Sequence, residues 1–232
     1  MIELNKDWYL QIPPGTNVPH TVNAIVEIPK GKRCKFEVDK KTGLFRLDRY
    51  LYSSSMYPGD YGFIPQTLAE DGDPLDVVVM VNEPTFTGCL IEARPLGLFK
   101  MTDKGANDFK VLAVPADDPI FAEYDDLWRV PPHFLREVEH FFATYKQLEG
   151  TVVVPLGWDG AAAARAEIIS CVERYEQTLT ARSSGRSTKH GTTRKAGAKK
   201  KTATRKASGR TGTNKARAAK SKSKARTPAR RG

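Results

Sequence analysis

An acidic run at residues 71–76, DGDPLD, is the part of the sequence best suited to chemistry, because it places Asp71, Asp73 and Asp76 within six positions. Carboxylates this close repel one another and raise one another's pKa unless cations hold them ionised. Hard oxygen ligands of this kind suit Mg²⁺, which keeps several waters and takes only a few carboxylates. Asp, Gly and Pro are also common turn formers. On its own, the run predicts either a magnesium site or a surface turn.

Further charged residues favour the metal site. Asp103 and Asp108 bracket a polar loop between two predicted strands, and such a loop can deliver two more carboxylates to one cation site. Taken alone, that pair is also typical of a solvated loop. Basic side chains accompany the carboxylates in the predicted strands, namely Lys35, Arg49 and Lys110. Each such pairing is more often a surface pair worth under about 1 kcal/mol, so only the combination predicts a site.

Strands are predicted in the first half of the chain, where they would position these residues. Apolar residues alternate over 22–28 and 33–39, and a fully apolar run over 77–81 predicts a strand covered on both faces. The other predicted strands span residues 44–50, 89–101 and 109–114.

Helical spacing occurs only later in the chain. One helix is predicted between Pro131 and Gly150, and a second from an N-cap at Asp159 to about Leu179. Strands followed by helices predict a small closed or half-closed antiparallel barrel with helices packed outside it.

Charge divides the chain into two unlike parts. Residues 1–180 hold 18 basic and 27 acidic residues, a net charge of −9, whereas residues 181–232 hold 19 basic residues and no acidic one. The second part has almost no apolar side chains, so we predict a disordered tail, because burial cannot offset chain entropy there. A tail of this charge is predicted to bind DNA or RNA without sequence preference, or to act only as a solubilising segment.

Other features bear on the setting of the protein. Cys34, Cys89 and Cys171 are widely spaced and form no CxxC pair, which argues against disulfides and structural zinc. We expect no secretory signal and no membrane span. A cytoplasmic protein is therefore predicted, with nucleoid association through the tail.

The sequence resembles the soluble family I inorganic pyrophosphatases. Residues 71–77, DGDPLDV, are similar to the family signature, and supporting matches follow in the family's order over residues 1 to about 178. These matches are VEIP at 26–29, KFE at 35–37, DR at 48–49, YP at 57–58, YG at 61–62, KMTD at 100–103, DFK at 108–110 and HFFATYK at 140–146.

This resemblance implies a fold, an activity and a set of site residues. The fold is a five-stranded OB-like antiparallel barrel flanked by two main α-helices, formed by a catalytic domain of residues 1–180. The activity is hydrolysis of pyrophosphate to two orthophosphates with several Mg²⁺ ions, Mn²⁺ being an alternative. Asp73 would take the proton from the attacking water. The implied metal ligands are Asp71, Asp76, Asp103 and Asp108; the implied phosphate ligands are Lys35, Arg49, Tyr61, Tyr145 and Lys146; the implied supporting residues are Glu27, Glu37, Tyr57 and Lys110.

The sequence departs from the family pattern at one loop position, and two alternative functions stay open. Lys104 stands where many bacterial relatives carry an acidic residue, so a third loop carboxylate is missing. The family also implies a homo-oligomer, with a hexamer favoured and His140 at a contact position. The alternatives are a nucleic-acid-binding module without catalysis and a metal-dependent nuclease or nucleotide phosphohydrolase. A module that only binds nucleic acid gains nothing from five carboxylates, which repel phosphate. A nuclease or nucleotide phosphohydrolase needs a pocket for a base or sugar.

Overall fold

The computed structural model describes the backbone of residues 6–187 and the side chains of residues 6–181. The basic segment from residue 188 onward lies outside the described residues. The strands are β1 Val22–Ile28, β2 Cys34–Val38, β3 Phe45–Tyr50, β4 Asp60–Phe63, β5 Asp76–Val79, β6 Leu90–Asp103, β7 Ala106–Asn107, β8 Lys110–Pro115 and β9 Val153–Gly160, and the helices are α1 Pro132–Thr144 and α2 Ala161–Ser187.

Five strands form a closed ring in the order β1-β4-β5-β8-β6, with β6 pairing back to β1. The short β7 and the later β9 extend the sheet by pairing with β6. The predicted five-stranded barrel with two main helices is therefore confirmed. One pairing differs from the antiparallel expectation: β5 and β8 run parallel, with Asp76 opposite Lys110. The chain leaves β5 and passes through β6 before returning as β8, and such a crossover is what a parallel pair requires.

Three strands were not predicted: β4, β9 and the two-residue β7, which lies within the loop predicted before β8. β4 has only four residues, too few for a clear period-2 pattern. β9 contains Pro155 and Gly157, which argue against a strand when the sequence is considered alone. β9 pairs with β6 through a register shift near Lys100 and Met101, so the irregular residues are accommodated at an irregular point of the ladder.

The hairpin of β2 and β3 forms a separate two-stranded sheet. Its turn is connected to the N-terminal segment, because the indole Nε1 of Trp8 donates to the carbonyl of Gly43 at 2.6 Å. Tyr9, the residue after Trp8, is buried against Phe63 of β4. The N-terminal segment thus joins the hairpin to the barrel.

The two helices cover the barrel on different sides. α1 buries Val138, Phe141 and Phe142, and α2 buries Ile168 and Cys171. Full burial of a large apolar side chain contributes about 1.5–3 kcal/mol, so these faces supply much of the helix attachment. No helix within residues 6–187 has the length and apolarity to cross a membrane.

The boundaries of both helices, α1 and α2, differ from the predicted ones. α2 begins at Ala161, whose backbone amide donates a hydrogen bond to Asp126 Oδ1 at 3.3 Å, 35 residues earlier in the chain. Asp159, the predicted N-cap, lies in β9 instead. At its other end α2 continues to Ser187, past the predicted domain boundary at residue 180. α1 ends at Thr144, and a 3₁₀ turn then leads to Gly150, whose φ of 73° terminates the segment as predicted.

Candidate active site

A cavity of about 650 Å³ opens between the β2–β3 hairpin, one end of the barrel and the end of α1. Thirteen of the fourteen predicted site residues line it, which is the strongest agreement between the sequence and the structure. They are Glu27, Lys35, Glu37, Tyr57, Tyr61, Asp71, Asp73, Asp76, Asp103, Asp108, Lys110, Tyr145 and Lys146.

The acidic run lies at the point where a loop enters the barrel. Asp71 and Asp73 belong to the loop before β5, and the amide of Asp73 donates to Asp71 Oδ1 at 3.0 Å. Asp76 is the first residue of β5. Burial raises the pKa of Asp71, and the neighbouring charges of Asp76 and Asp73 add to this effect. A bound cation would relieve this cost, as the sequence suggested.

Lys110 is buried among carboxylates at the start of β8. Its ammonium lies 2.5 Å from Asp76 Oδ2 and also bonds Asp108 Oδ1, while the hydroxyl of Tyr61 donates to Asp76 Oδ2 at 2.6 Å. Burial disfavours the ammonium, but Asp76 and Asp108 outweigh burial and raise the pKa of Lys110. Burial raises the pKa of Asp108 in spite of Lys110. Lys110 therefore acts as an internal cation for the carboxylates around it.

A second lysine pairs with the loop between β6 and β8. Lys146, just after α1, lies 2.6 Å from Asp103 Oδ2, whereas Asp103 Oδ1 is buried without any hydrogen-bond partner. Lys104 and Gly105 form the two-residue turn between β6 and β7, with φ values of 51° and 85°. Such turns require positive φ at both positions, so Lys104 serves the turn and supplies no carboxylate.

Arg49 is the one predicted site residue that does not line the cavity. Its guanidinium pairs with Glu149 at 3.0 Å and with Asp48 at 2.5 Å. Glu149 lies in the 3₁₀ turn after α1, so Arg49 connects β3 to the end of that helix. Burial opposes the charge of Arg49, but the two carboxylates outweigh it and raise the pKa of the guanidinium.

The fit of the carboxylates to a divalent cation depends on how they are placed relative to one another. Within residues 6–181, no three acidic, His or Cys side chains converge as a closed ligand set. Lysines pair with these carboxylates instead: Lys110 bonds Asp76 and Asp108, and Lys146 bonds Asp103. The unpartnered Asp103 oxygen and the all-oxygen donor set nevertheless fit a hard divalent cation.

Glu27, in strand β1 of the barrel, also favours a divalent cation in the cavity. Burial, with the charge of Asp76 adding to it, raises the pKa of Glu27 to about 8. Its Oε1 accepts a hydrogen bond from the amide of Val38 at 3.1 Å, which couples β1 to the hairpin. Carboxyl groups that are costly to ionise together become easier to ionise beside a cation, so the residues present fit the metal that the sequence predicted.

Several cavity residues were missed by the sequence analysis. Lys40 in the hairpin turn lies 2.5 Å from Asp73 Oδ1, and both side chains are more than 60% exposed. Arg46 and Asp48 occupy alternate positions of β3 and also line the cavity, together with Tyr9. Period-2 alternation along β3 puts Arg46 and Asp48 on one face and could have identified them, whereas Tyr9 carries no comparable signal.

Comparison with known proteins agrees with this geometry. A family model described as inorganic pyrophosphatase matches residues 24–176. The inorganic pyrophosphatase of Picrophilus torridus is 42% identical over 176 residues, covering 76% of this chain and 99% of the relative. That of Haloferax volcanii is 49% identical over 166 residues, covering 71% and 94%. The chain belongs to the inorganic pyrophosphatase family.

Solved structures of inorganic pyrophosphatases share the fold of this family member. The crystal structure of the inorganic pyrophosphatase from Thermus thermophilus superposes with a TM-score of 0.70 at 42% identity, covering 71% of this chain and 97% of that chain. The inorganic pyrophosphatase from Neisseria gonorrhoeae gives a TM-score of 0.69 at 37% identity, covering 72% and 99%. All fourteen predicted site residues fall inside the range matched by the pyrophosphatase model, and the basic segment falls outside it.

Proposed function

We propose that the chain hydrolyses inorganic pyrophosphate to two orthophosphates and that Asp73 accepts a proton from the attacking water. The observation that carries this proposal is one cavity in which the five predicted aspartates and further carboxylates face lysines and tyrosines from the hairpin, the barrel and α1. A compact, highly anionic substrate needs cationic groups on several sides, and hydrolysis needs an activated water.

The cofactor in this proposal is Mg²⁺, with Mn²⁺ as an alternative. Its proposed ligands are Asp71, Asp76, Asp103 and Asp108, whose oxygen atoms are the donors that Mg²⁺ prefers. When bound, Mg²⁺ supplies Lewis-acid chemistry that makes water more acidic and offsets charge on the phosphates.

Asp73 is suited to proton transfer by its position at the cavity wall. Its side chain is 62% exposed, so water reaches it, and Lys40 holds one of its oxygens. The hydrogen bond that the backbone amide of Asp73 donates to Asp71 Oδ1 fixes the adjacent backbone. A positioned general base contributes about 10²–10⁴-fold to a hydrolysis rate.

The basic and phenolic residues are proposed to orient the two phosphates. Lys35 bonds Glu37 and Lys146 bonds Asp103 in this structure. When a bound cation offsets the negative charge of these carboxylates, the two ammonium groups are free to bind phosphate oxygens. Tyr61 and Tyr145 project from the buried aromatic cluster into the same cavity. Arg49 is paired with Glu149, so it can bind a phosphate only if this ion pair breaks and the substrate replaces Glu149 as its partner.

Phosphate release from pyrophosphate, ATP and DNA, measured with Mg²⁺ and with excess chelator, tests the proposed function. We expect release from pyrophosphate with Mg²⁺ only, and a loss of at least about 100-fold in Asp73→Asn. Asp117→Asn, outside the cavity, is the matched control. Equal rates in Asp73→Asn and wild type would overturn the assignment of the base, and preferred cleavage of ATP or DNA would favour the phosphohydrolase or nuclease alternative.

Oligomerisation is proposed from the resemblance, with a hexamer favoured. An apolar strip supports it: Val152, Val154 and Leu156 alternate along β9 and the residue before it, and are 74%, 48% and 52% exposed. Exposed apolar patches of this kind mark interaction surfaces. His140 is exposed on α1. Light scattering of wild type and Val154→Asp tests this proposal. A monomeric wild type would overturn it. A smaller assembly in the variant would identify the strip as a contact surface between subunits.

Nucleic-acid binding is proposed for the basic segment. Residues 188–232 carry 17 basic and no acidic residues, and such a segment binds polyanions with strong salt dependence. Because α2 continues to Ser187, the informative truncation ends there and keeps the helix whole. Duplex DNA and RNA binding should be lost in the 1–187 protein and should weaken steeply with salt in the full chain. Equal affinity of the two proteins would refute this role.

A further inference from the structure

The segment that carries Asp71 and Asp73 is the acidic loop, residues 64–75, which joins β4 to β5. Its two ends are held together by backbone and side-chain hydrogen bonds. The amide of Ile64 donates to Leu75 O at 2.9 Å, and Thr67 Oγ1 donates to Ile64 O at 2.6 Å. The same hydroxyl accepts from the amide of Leu75 at 2.8 Å. Thr67 is 2% exposed, so the base of the loop is a closed and buried unit.

The middle of the acidic loop is hydrogen-bonded to α2 through the backbone of Leu68, and the neighbouring Ala69 packs in the same apolar cluster as Ile168 and Cys171. The amide of Leu68 donates to the carbonyl of Cys171 at 2.9 Å, and its carbonyl accepts from Nη1 of Arg174. Both backbone polar groups of Leu68 are therefore bonded to one turn of the helix. Beyond this point the amide of Ala69 donates to Asp73 O at 2.7 Å. The arc that presents Asp71 and Asp73 thus starts from the place where Leu68 meets α2.

Arg174 is itself held in a fixed orientation. Its Nη2 donates to Ser170 Oγ at 3.0 Å and lies 3.3 Å from Glu167 Oε1. The thiol of Cys171 donates to the same Glu167 oxygen at 3.2 Å. The planar guanidinium can donate in several directions at once without turning. Arg174 does not line the cavity, so it can act on the site only through the loop.

We propose that Arg174 is a positioning residue that sets the placement of the loop arc carrying Asp71 and so the affinity of Asp71 for a divalent cation. The inference rests on the proposed function, which makes Asp71 a metal ligand. Cation affinity depends on the groups that orient the ligands, and removal of such groups weakens affinity by about 10–100-fold. Arg174 lies behind the loop backbone, not beside a ligand, so the expected effect is at the lower end, about tenfold.

Calorimetric titration of the full chain with Mg²⁺ alone tests this proposal. Arg174→Ala should bind Mg²⁺ about tenfold more weakly than wild type, and Arg174→Lys, which keeps one donor, should lie between them. Arg136→Ala, which removes an exposed arginine from α1, should bind like wild type. At saturating Mg²⁺, the KM for pyrophosphate should be unchanged in Arg174→Ala, because the loss concerns the cation and not the substrate.

Wild-type Mg²⁺ affinity in folded Arg174→Ala would overturn the proposal and leave Arg174 with only a structural role. If Arg174→Ala does not fold, Arg174→Lys and Glu167→Gln decide the question by the same titration, and wild-type affinity in both overturns it. Pyrophosphate hydrolysis by wild type is measured separately. A protein that binds Mg²⁺ and shows the Arg174 effect without hydrolysing pyrophosphate would refute the proposed function but not the positioning role.

Discussion

The ammonium of Lys110 lies 2.5 Å from Asp76 Oδ2, although the lysine side chain is only 2% exposed. The contact follows from topology, because β5 and β8 are parallel neighbours and pair Asp76 with Lys110 in register. Lys110 also bonds Asp108, two residues before it on the same chain segment. One buried lysine thereby joins the acidic run to the carboxylate that closes the β6–β8 loop.

Replacement of Lys110 should destabilise the metal-free protein strongly. Lys110→Met keeps the volume of the side chain but leaves Asp76 and Asp108 without their buried cation, which costs about 3 kcal/mol or more. Urea unfolding in the presence of chelator measures this change. Lys100→Met is the matched control, because Lys100 pairs with Asp159 at a site where both side chains are about one third or more exposed, and such a pair contributes under about 1 kcal/mol. Equal losses in the two variants would contradict the interpretation.

Glu27 should make the stability of the metal-free protein fall as pH rises. Its folded-state pKa is about 8 against an ordinary value of 4.5, so between these values the folded protein keeps a proton that the unfolded chain has lost. Stability from this group is fully present below pH 4.5 and is lost as pH rises through 8. The negative charges of Asp76 and Glu37 raise the pKa of the Glu27 carboxyl, and the positive charge of Lys35 lowers it.

Glu27→Gln should remove this dependence, because Gln can accept the Val38 amide and never ionises. The stability of the variant relative to wild type should increase between about pH 5 and pH 8.5, by up to a few kcal/mol. Urea unfolding at both pH values with chelator measures the difference. A difference that does not change with pH would show that Glu27 titrates normally.

The sequence predicted the elements whose signals are local. Val22, Ala24, Val26 and Ile28 alternate along β1 and are all 1% exposed or less. Ile25, on the other face, is equally buried because the N-terminal segment and Phe63 cover it. Alternation therefore identified the strand but not the second covered face, which depends on a distant part of the chain.

The site shows the same division between local and distant determinants. The spacing within residues 71–76 singled out three carboxylates that line the cavity, but the other charged residues and the family resemblance were needed to prefer a site over a turn. The orientation of Arg49 could not be predicted, because its partner Glu149 is 100 residues away. Lys40 was missed for a similar reason, since 33 residues separate it from Asp73.

Truncation should locate the end of the folded part of the chain. A protein ending at Ser187 should unfold at the same urea concentration as the full chain, because it keeps all of α2. A protein ending at Ala166 loses Ile168 and Cys171, both 0% exposed, and should fail to fold, since each buried side chain contributes on the order of 1–3 kcal/mol. Circular dichroism with urea distinguishes these outcomes. A large loss of stability in the 1–187 protein would move the boundary into the basic segment.

Asp126 should stabilise the start of α2 from a distance. Its Oδ1 accepts from the amide of Leu127 at 2.6 Å and from that of Ala161 at 3.3 Å, so one carboxylate joins the 3₁₀ turn before α1 to the first residue of α2. Loss of a helix cap costs about 0.5–2 kcal/mol, and Asp126→Ala should cost about that much in urea unfolding.

Two further variants separate this capping role from a general charge effect. Asp126→Asn keeps the accepting oxygen and should recover most of the stability. Asp125→Ala removes a neighbouring carboxylate that is 70% exposed, and its stability should stay within about 0.5 kcal/mol of wild type. If Asp125→Ala costs as much as Asp126→Ala, the acidic charge of the segment matters and the contact with Ala161 does not.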